Sequence, residues 1–141
     1  SRPGQRKFRS MTAVPPRVET DATALKGHSG IARIANATGY SLAGLKAAYR
    51  GEAAFRQLLL LNLVLIPVAC AMDVTRGERV LLIVAPLASL IVELFNSAIE
   101  ATVDRVSLAI HPLSKQAKDM GSAAQMLALL LIVVTWGIIL L

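Results

Sequence analysis

Three acids share one face of an otherwise apolar segment. Glu93 stands thirteen residues beyond Val80, after a run that holds no charged side chain. Asn96, Ser97, Glu100 and Asp104 follow it at steps of three, four, seven and eleven. At about 100° per residue these positions fall on one helical face, with Glu93 and Glu100 about 10 Å apart along the axis. A carboxylate in hydrocarbon costs about 3 kcal/mol even on lenient scales, so such a residue faces protein or water. A polar seam that glues helices together would account for Asn96 and Ser97. It accounts poorly for three acids on one stripe, which repel one another unless cations or protons intervene. A site that gathers metal ions is the better explanation.

Other charged groups stand at the ends of neighbouring apolar segments. Lys118-Asp119-Met120-Gly121-Ser122 opens one of them, with Lys118 and Ser122 one helical turn apart. Glu52 and Arg56 open another with the same spacing; alone they would read as an i,i+4 surface pair worth about 0.2–0.5 kcal/mol. Together the segment ends offer Glu52, Glu100, Asp104 and Asp119 beside Arg56 and Lys118. Acids to hold a divalent cation and bases to meet phosphates are what nucleotide chemistry requires. Standard nucleotide motifs are missing. Gly39 and Gly44 have the spacing of a phosphate-binding loop, but Lys46 is displaced by one position and no Ser or Thr follows it. Kinase catalytic-loop and GxSxG patterns are absent. His28 lies in the basic N-terminal region, and His111 precedes Pro112, where starting a helix and touching a ligand are equally good readings. Trp136 lies near the far end of the last apolar segment, most simply as an interfacial anchor.

Composition says what kind of chain must carry these groups. Of 141 residues, 55% are apolar and 17% charged, with a mean hydropathy of +0.58. A disordered chain is excluded, and the long apolar blocks argue against a water-soluble globule. The net charge is +6 and the pI about 10.1, yet ten of the 15 Lys and Arg residues precede position 57. Aromatics are 4% and do not interleave with the basic residues, so no nucleic-acid partner is expected. The single cysteine, Cys70, has no partner for an intrachain disulfide and reads as a small buried hydrophobe.

The expected organisation is a mobile basic tail over residues 1–29 and a membrane domain over residues 30–141. Met11 is a candidate natural start, and no apolar core follows the tail's charges at signal-peptide distance. Residues 30–56 have an amphipathic helical pattern through Ile31, Ile34, Leu45, Ala48 and Tyr49, with Gly39 and Gly44 expected to interrupt it. A basic amphipathic helix beside a span lies in the headgroup layer. Three spans follow, over about 53–72, 80–99 and 120–141, each near the roughly 20 residues that crossing requires. The fold class is therefore an all-α membrane protein, with three transmembrane helices preceded by an interfacial one. Lys and Arg near the spans place the N-terminus and the second connection in the cytoplasm.

The motifs resemble those of the prokaryotic integral-membrane diacylglycerol kinases. The resemblance rests on Glu52-Ala-Ala-Phe-Arg-Gln57, on Val92-Glu-Leu-Phe-Asn-Ser-Ala-Ile-Glu-Ala-Thr-Val-Asp-Arg105, and on Ala117-Lys-Asp-Met-Gly-Ser-Ala-Ala124. It covers roughly residues 31–141. It implies a homotrimer in the bacterial inner membrane that transfers the γ-phosphoryl of MgATP to a lipid hydroxyl, most simply that of diacylglycerol. By the same resemblance Glu93 would be the catalytic base, and Glu52 and Glu100 would hold magnesium. Arg33, Tyr40, Glu52, Glu100, His111, Lys118 and Asp119 would form the ATP site. Arg56, Glu93, Asn96, Ser122 and Trp136 would lie along the lipid site. Leu58 departs from the pattern, standing where the best-known relatives carry an acid. His111-Pro112-Leu113 also resembles the related undecaprenol kinases, which leaves undecaprenol as a second acceptor. A small channel or ion-coupled protein using Glu93 is a third reading, which would leave Glu52, Lys118 and Asp119 idle.

Overall fold

The structure, a computed structural model, describes residues 30–141; the expected tail, with His28 and Met11, lies outside the described residues. Four helices follow one another: α1 (Gly30–Gly51), α2 (Ala53–Ala71), α3 (Arg76–Val106) and α4 (Pro112–Leu140). Internal contacts gather Thr38–Leu141 into one unit, and the described residues 30–37 belong to another. Three helices, α2, α3 and α4, are long and apolar enough to cross a membrane. Helices α3 and α4 run to 31 and 29 residues, longer than the spans predicted from hydropathy. Each continues as a polar helix past its apolar stretch, because leaving hydrocarbon removes no backbone hydrogen bond.

The glycines of α1 do not interrupt it. The helix passes through Gly39 and Gly44, both of which face open space. It ends at Gly51, and Glu52 adopts an extended backbone (φ −123°, ψ 110°) before α2 begins. One residue therefore separates the two helices. The Arg56 guanidinium donates 2.7 Å to the Tyr49 carbonyl and 3.4 Å to that of Arg50, satisfying acceptors that the end of α1 leaves without helical partners. Arg56 thus fixes the junction at which Glu52 sits.

Helix α3 packs against both α2 and α4. With α2 it is antiparallel: Asn62 Nδ2 donates to the Pro86 carbonyl at 3.0 Å, and Arg79 reaches the carbonyls of Ala69 and Met72 at 3.2 and 2.8 Å. The α3 N-terminus is capped by Thr75, whose hydroxyl accepts from the Glu78 N–H and donates to its carboxylate. His111 caps α4, its Nδ1 accepting from the Leu113 N–H at 3.1 Å ahead of Pro112. Cys70, expected to be buried, is exposed: Ala69 takes the inward position, which turns its neighbour to the outside of α2.

The α3–α4 pairing is also antiparallel and is fixed at two heights. Pro86 lacks an N–H, so the Leu82 carbonyl four residues earlier loses its helical donor. Trp136 Nε1 donates to that carbonyl at 3.1 Å. Nearer the other end, Gly121 packs so closely on Asn96 that a Cβ there would overlap Asn96 Oδ1. Ala85 and Ser89, small enough to permit close helix approach, are buried. Ala123 and Ala124, equally small, face outward.

Candidate active site

Helix α3 carries Glu93 into the interior, where the residue is 4% exposed. The carboxylates of Glu52 and Glu100 both lie within electrostatic range of it. The three acids reach this position from different places, Glu93 and Glu100 from one face of α3 and Glu52 from the α1–α2 junction. Leu94, next to Glu93, and Ser97, one turn from it, wall a cleft of about 700 Å³ whose other side is Ser41, Leu45, Ala48 and Glu52, all within the Thr38–Leu141 unit. It is apolar along most of its wall, and Glu52 is the one carboxylate among the described residues of its lining. A chain with an apolar body and a polar head suits that form.

A second hollow, of about 290 Å³, lies between the end of α3 and the start of α4. Asp104, His111, Lys115, Lys118 and Asp119 line it. Lys118 Nζ donates to Asp104 Oδ1 at 2.7 Å, and Lys115 pairs with Asp119 at 2.5 Å. Asp104, grouped by spacing with the metal-holding acids, is thus the partner of Lys118. Both pairs are largely exposed and can open to admit phosphate at little cost.

The structure sets Glu52 and Glu100 within electrostatic range of Glu93, with Ser97 at the cleft, and places His111, Lys118 and Asp119 around the second hollow. Asn96 lies beside Gly121 with its Oδ1 buried and without a hydrogen-bond partner. Ser122 and Tyr40 are exposed, Arg33 belongs to the unit ending at Ala37, and Arg56 caps α1. Trp136 lies about 27 Å along α4 from Lys118, bonded within the chain rather than left as a free anchor. Gly39–Lys46 belongs to a helix, so it is no phosphate-cradling loop; it supplies Ser41, Gly44 and Leu45 to the apolar cleft instead. The sequence reading passed over this wall, although its small residues on one side of α1 were a signal.

Among the described residues no three His, Cys, Asp or Glu side chains form a ready metal cage. Glu52 and Glu100 still fit magnesium, which characteristically takes one or two protein carboxylates and completes its shell with phosphate and water oxygens.

Residues 39–140 match the model of the prokaryotic diacylglycerol kinase family. The chain belongs to that family. A diacylglycerol kinase of Pseudomonas aeruginosa is 72% identical over 116 residues, covering 82% of this chain and 94% of its own length. One from Escherichia coli is 50% identical over 112 residues, covering 79% and 92%, and one from Helicobacter pylori 44% over 108 residues, covering 77% and 84%. Family membership, with three helices able to span a bilayer, makes the chain a bacterial membrane enzyme of lipid phosphorylation. The channel reading falls away.

Proposed function

We propose that the chain phosphorylates diacylglycerol to phosphatidic acid with ATP, at the cytoplasmic face of the inner membrane. The observation that carries this reading is the approach of Glu52 and Glu100 to the buried Glu93, in a chain 72% identical to a diacylglycerol kinase. The acyl chains would lie in the cleft beside α1, with the glycerol hydroxyl directed at Glu93. Glu93 accepts the hydroxyl proton as the lipid oxygen bonds to the γ-phosphorus, and the bond from that phosphorus to the bridging oxygen of ADP breaks. Lys118, once released by Asp104, meets phosphate charge; Lys115 and Asp119 hold the neighbouring turn of α4 in place. Glu52 and Glu100 would hold magnesium, which when bound neutralises phosphate charge. Helix α1 would lie in the headgroup layer, with the N-terminus cytoplasmic.

Undecaprenol is the less favoured acceptor. His111, Pro112 and Leu113, which carried that resemblance, have a local role as the start of α4. The test is transfer of labelled phosphate from ATP to diacylglycerol or undecaprenol in mixed micelles. Labelled phosphatidic acid is the expected product, and labelled undecaprenyl phosphate alone would overturn the choice of acceptor.

A further inference from the structure

Gln125 is a polar position within the apolar stretch of the α4 face that meets α3. Gly121, Ala128 and Ile132 are buried on that face, and Trp136 bonds across it. Gln125 falls in the same series at steps of four and three. Both of its amide atoms, Nε2 and Oε1, are buried without a hydrogen-bond partner, and so is Asn96 Oδ1. Leaving such atoms unpaired costs the full desolvation of each group, so three of them at one interface need an explanation.

The register gives one. Asn96 faces Gly121 and Leu82 faces Trp136. Four residues from Gly121 bring Gln125 about 6 Å along α4, and three from Asn96 bring Glu93 about 4.5 Å the same way along α3. Gln125 and Glu93 therefore stand at nearly one level. Side chains on a helix lean toward its N-terminus, so Gln125 leans toward Gly121, where the missing side chain makes room for Asn96 Oδ1. Asn96 leans toward the level of Glu93, whose own lean is toward Ser89, so the carboxylate meets the amide pair by turning back toward Asn96.

We propose that Gln125 is a positioning residue for the reaction: in the working enzyme its amide pairs with that of Asn96, and its remaining N–H holds the Glu93 carboxylate toward the lipid hydroxyl. Nε2 donates to Asn96 Oδ1, Asn96 Nδ2 donates to Oε1, and the second hydrogen of Nε2 goes to Glu93. All three orphaned atoms are then satisfied. The inference rests on Glu93 being the base, and it adds a residue that none of the sequence motifs contains.

The test is a double-mutant cycle on the full-length enzyme in micelles. Gln125→Met keeps the length of the side chain and removes its hydrogen bonds. Misplacing a reacting group can cost about 100-fold, so kcat is expected to fall about 10- to 100-fold, with the KM for ATP unchanged and thermal stability equal or higher. In a Glu93→Gln background the same change should lower turnover no further. An unchanged kcat per folded enzyme in Gln125→Met, or an equal fractional loss in both backgrounds, would overturn the positioning role. Gln125→Leu supplies the same readings if the Met variant does not fold. Full turnover in Glu93→Gln alone would instead overturn the base, a result distinguishable from failure of the Gln125 proposal.

Discussion

Replacing the Glu93 carboxylate by an amide separates catalysis from packing. Glu93→Gln keeps the shape of the side chain but removes its capacity to take a proton. The expected loss is about 10²- to 10⁴-fold in kcat, with ATP affinity retained and stability held or raised, because an amide is easier to bury than a carboxylate. A loosened fold with normal turnover per folded molecule would make Glu93 a structural acid. Glu52→Gln and Glu100→Gln each remove an anionic oxygen from a hard cation. Each should move the magnesium dependence of activity to higher concentration while the protein stays folded, which titration of the metal at saturating ATP measures. The acids were legible in the sequence because charge within apolar runs demands a reason. Gln125 was not, since a lone amide in a span says nothing until the register of α3 on α4 sets it level with Glu93. The pairing of Lys118 with Asp104 was hidden in the same way, because it joins residues on two helices.

Among the helices, two contacts set the α3–α4 register, and each can be tested by itself. Trp136→Phe leaves the Leu82 carbonyl without a donor and is expected to lower stability by about 1–3 kcal/mol. Pro86→Ala restores a helical N–H to that carbonyl, so the Trp136→Phe penalty should shrink in its presence; thermal denaturation of the four combinations in detergent measures the coupling. Gly121→Ala places a methyl group on Asn96 Oδ1 and is expected to cost about 1–3 kcal/mol through overpacking, together with loss of activity. Gly137→Ala, where the added atom meets nothing, should be tolerated, and comparing the two melting temperatures is the check. Hydropathy was enough to find all three spans. The uninterrupted course of α1 through Gly39 and Gly44 was not legible, because glycine lowers helix propensity by only about 1 kcal/mol and packing decides the outcome. Nor was the length of α3, whose polar last turns resemble a loop in hydropathy alone.

For the molecule as a whole, the uncovered surface is the main fact. Leu60, Leu63, Leu81, Ile91, Phe95, Leu130 and Val133 are all exposed on the spanning helices, as helices that meet lipid require. If neighbouring copies share a site, mixing Glu93→Gln with Glu52→Gln subunits should restore part of the activity. No recovery at any ratio would assign each site to a single chain. The Asn62 contact extends to how the protein is made. Asn62 is 3% exposed, and its Nδ2 bonds the Leu58 carbonyl on its own helix and the Pro86 carbonyl on the next. The second acceptor lies 24 residues further on, so it is still inside the ribosome when Asn62 leaves it. Helix α2, 19 residues long with Pro67 inside it, must meanwhile hold an amide in hydrocarbon with only part of its hydrogen bonding satisfied. Helices α2 and α3 should therefore enter the bilayer together as a hairpin, and a nascent chain stopped before Pro86 should remain extractable from the membrane.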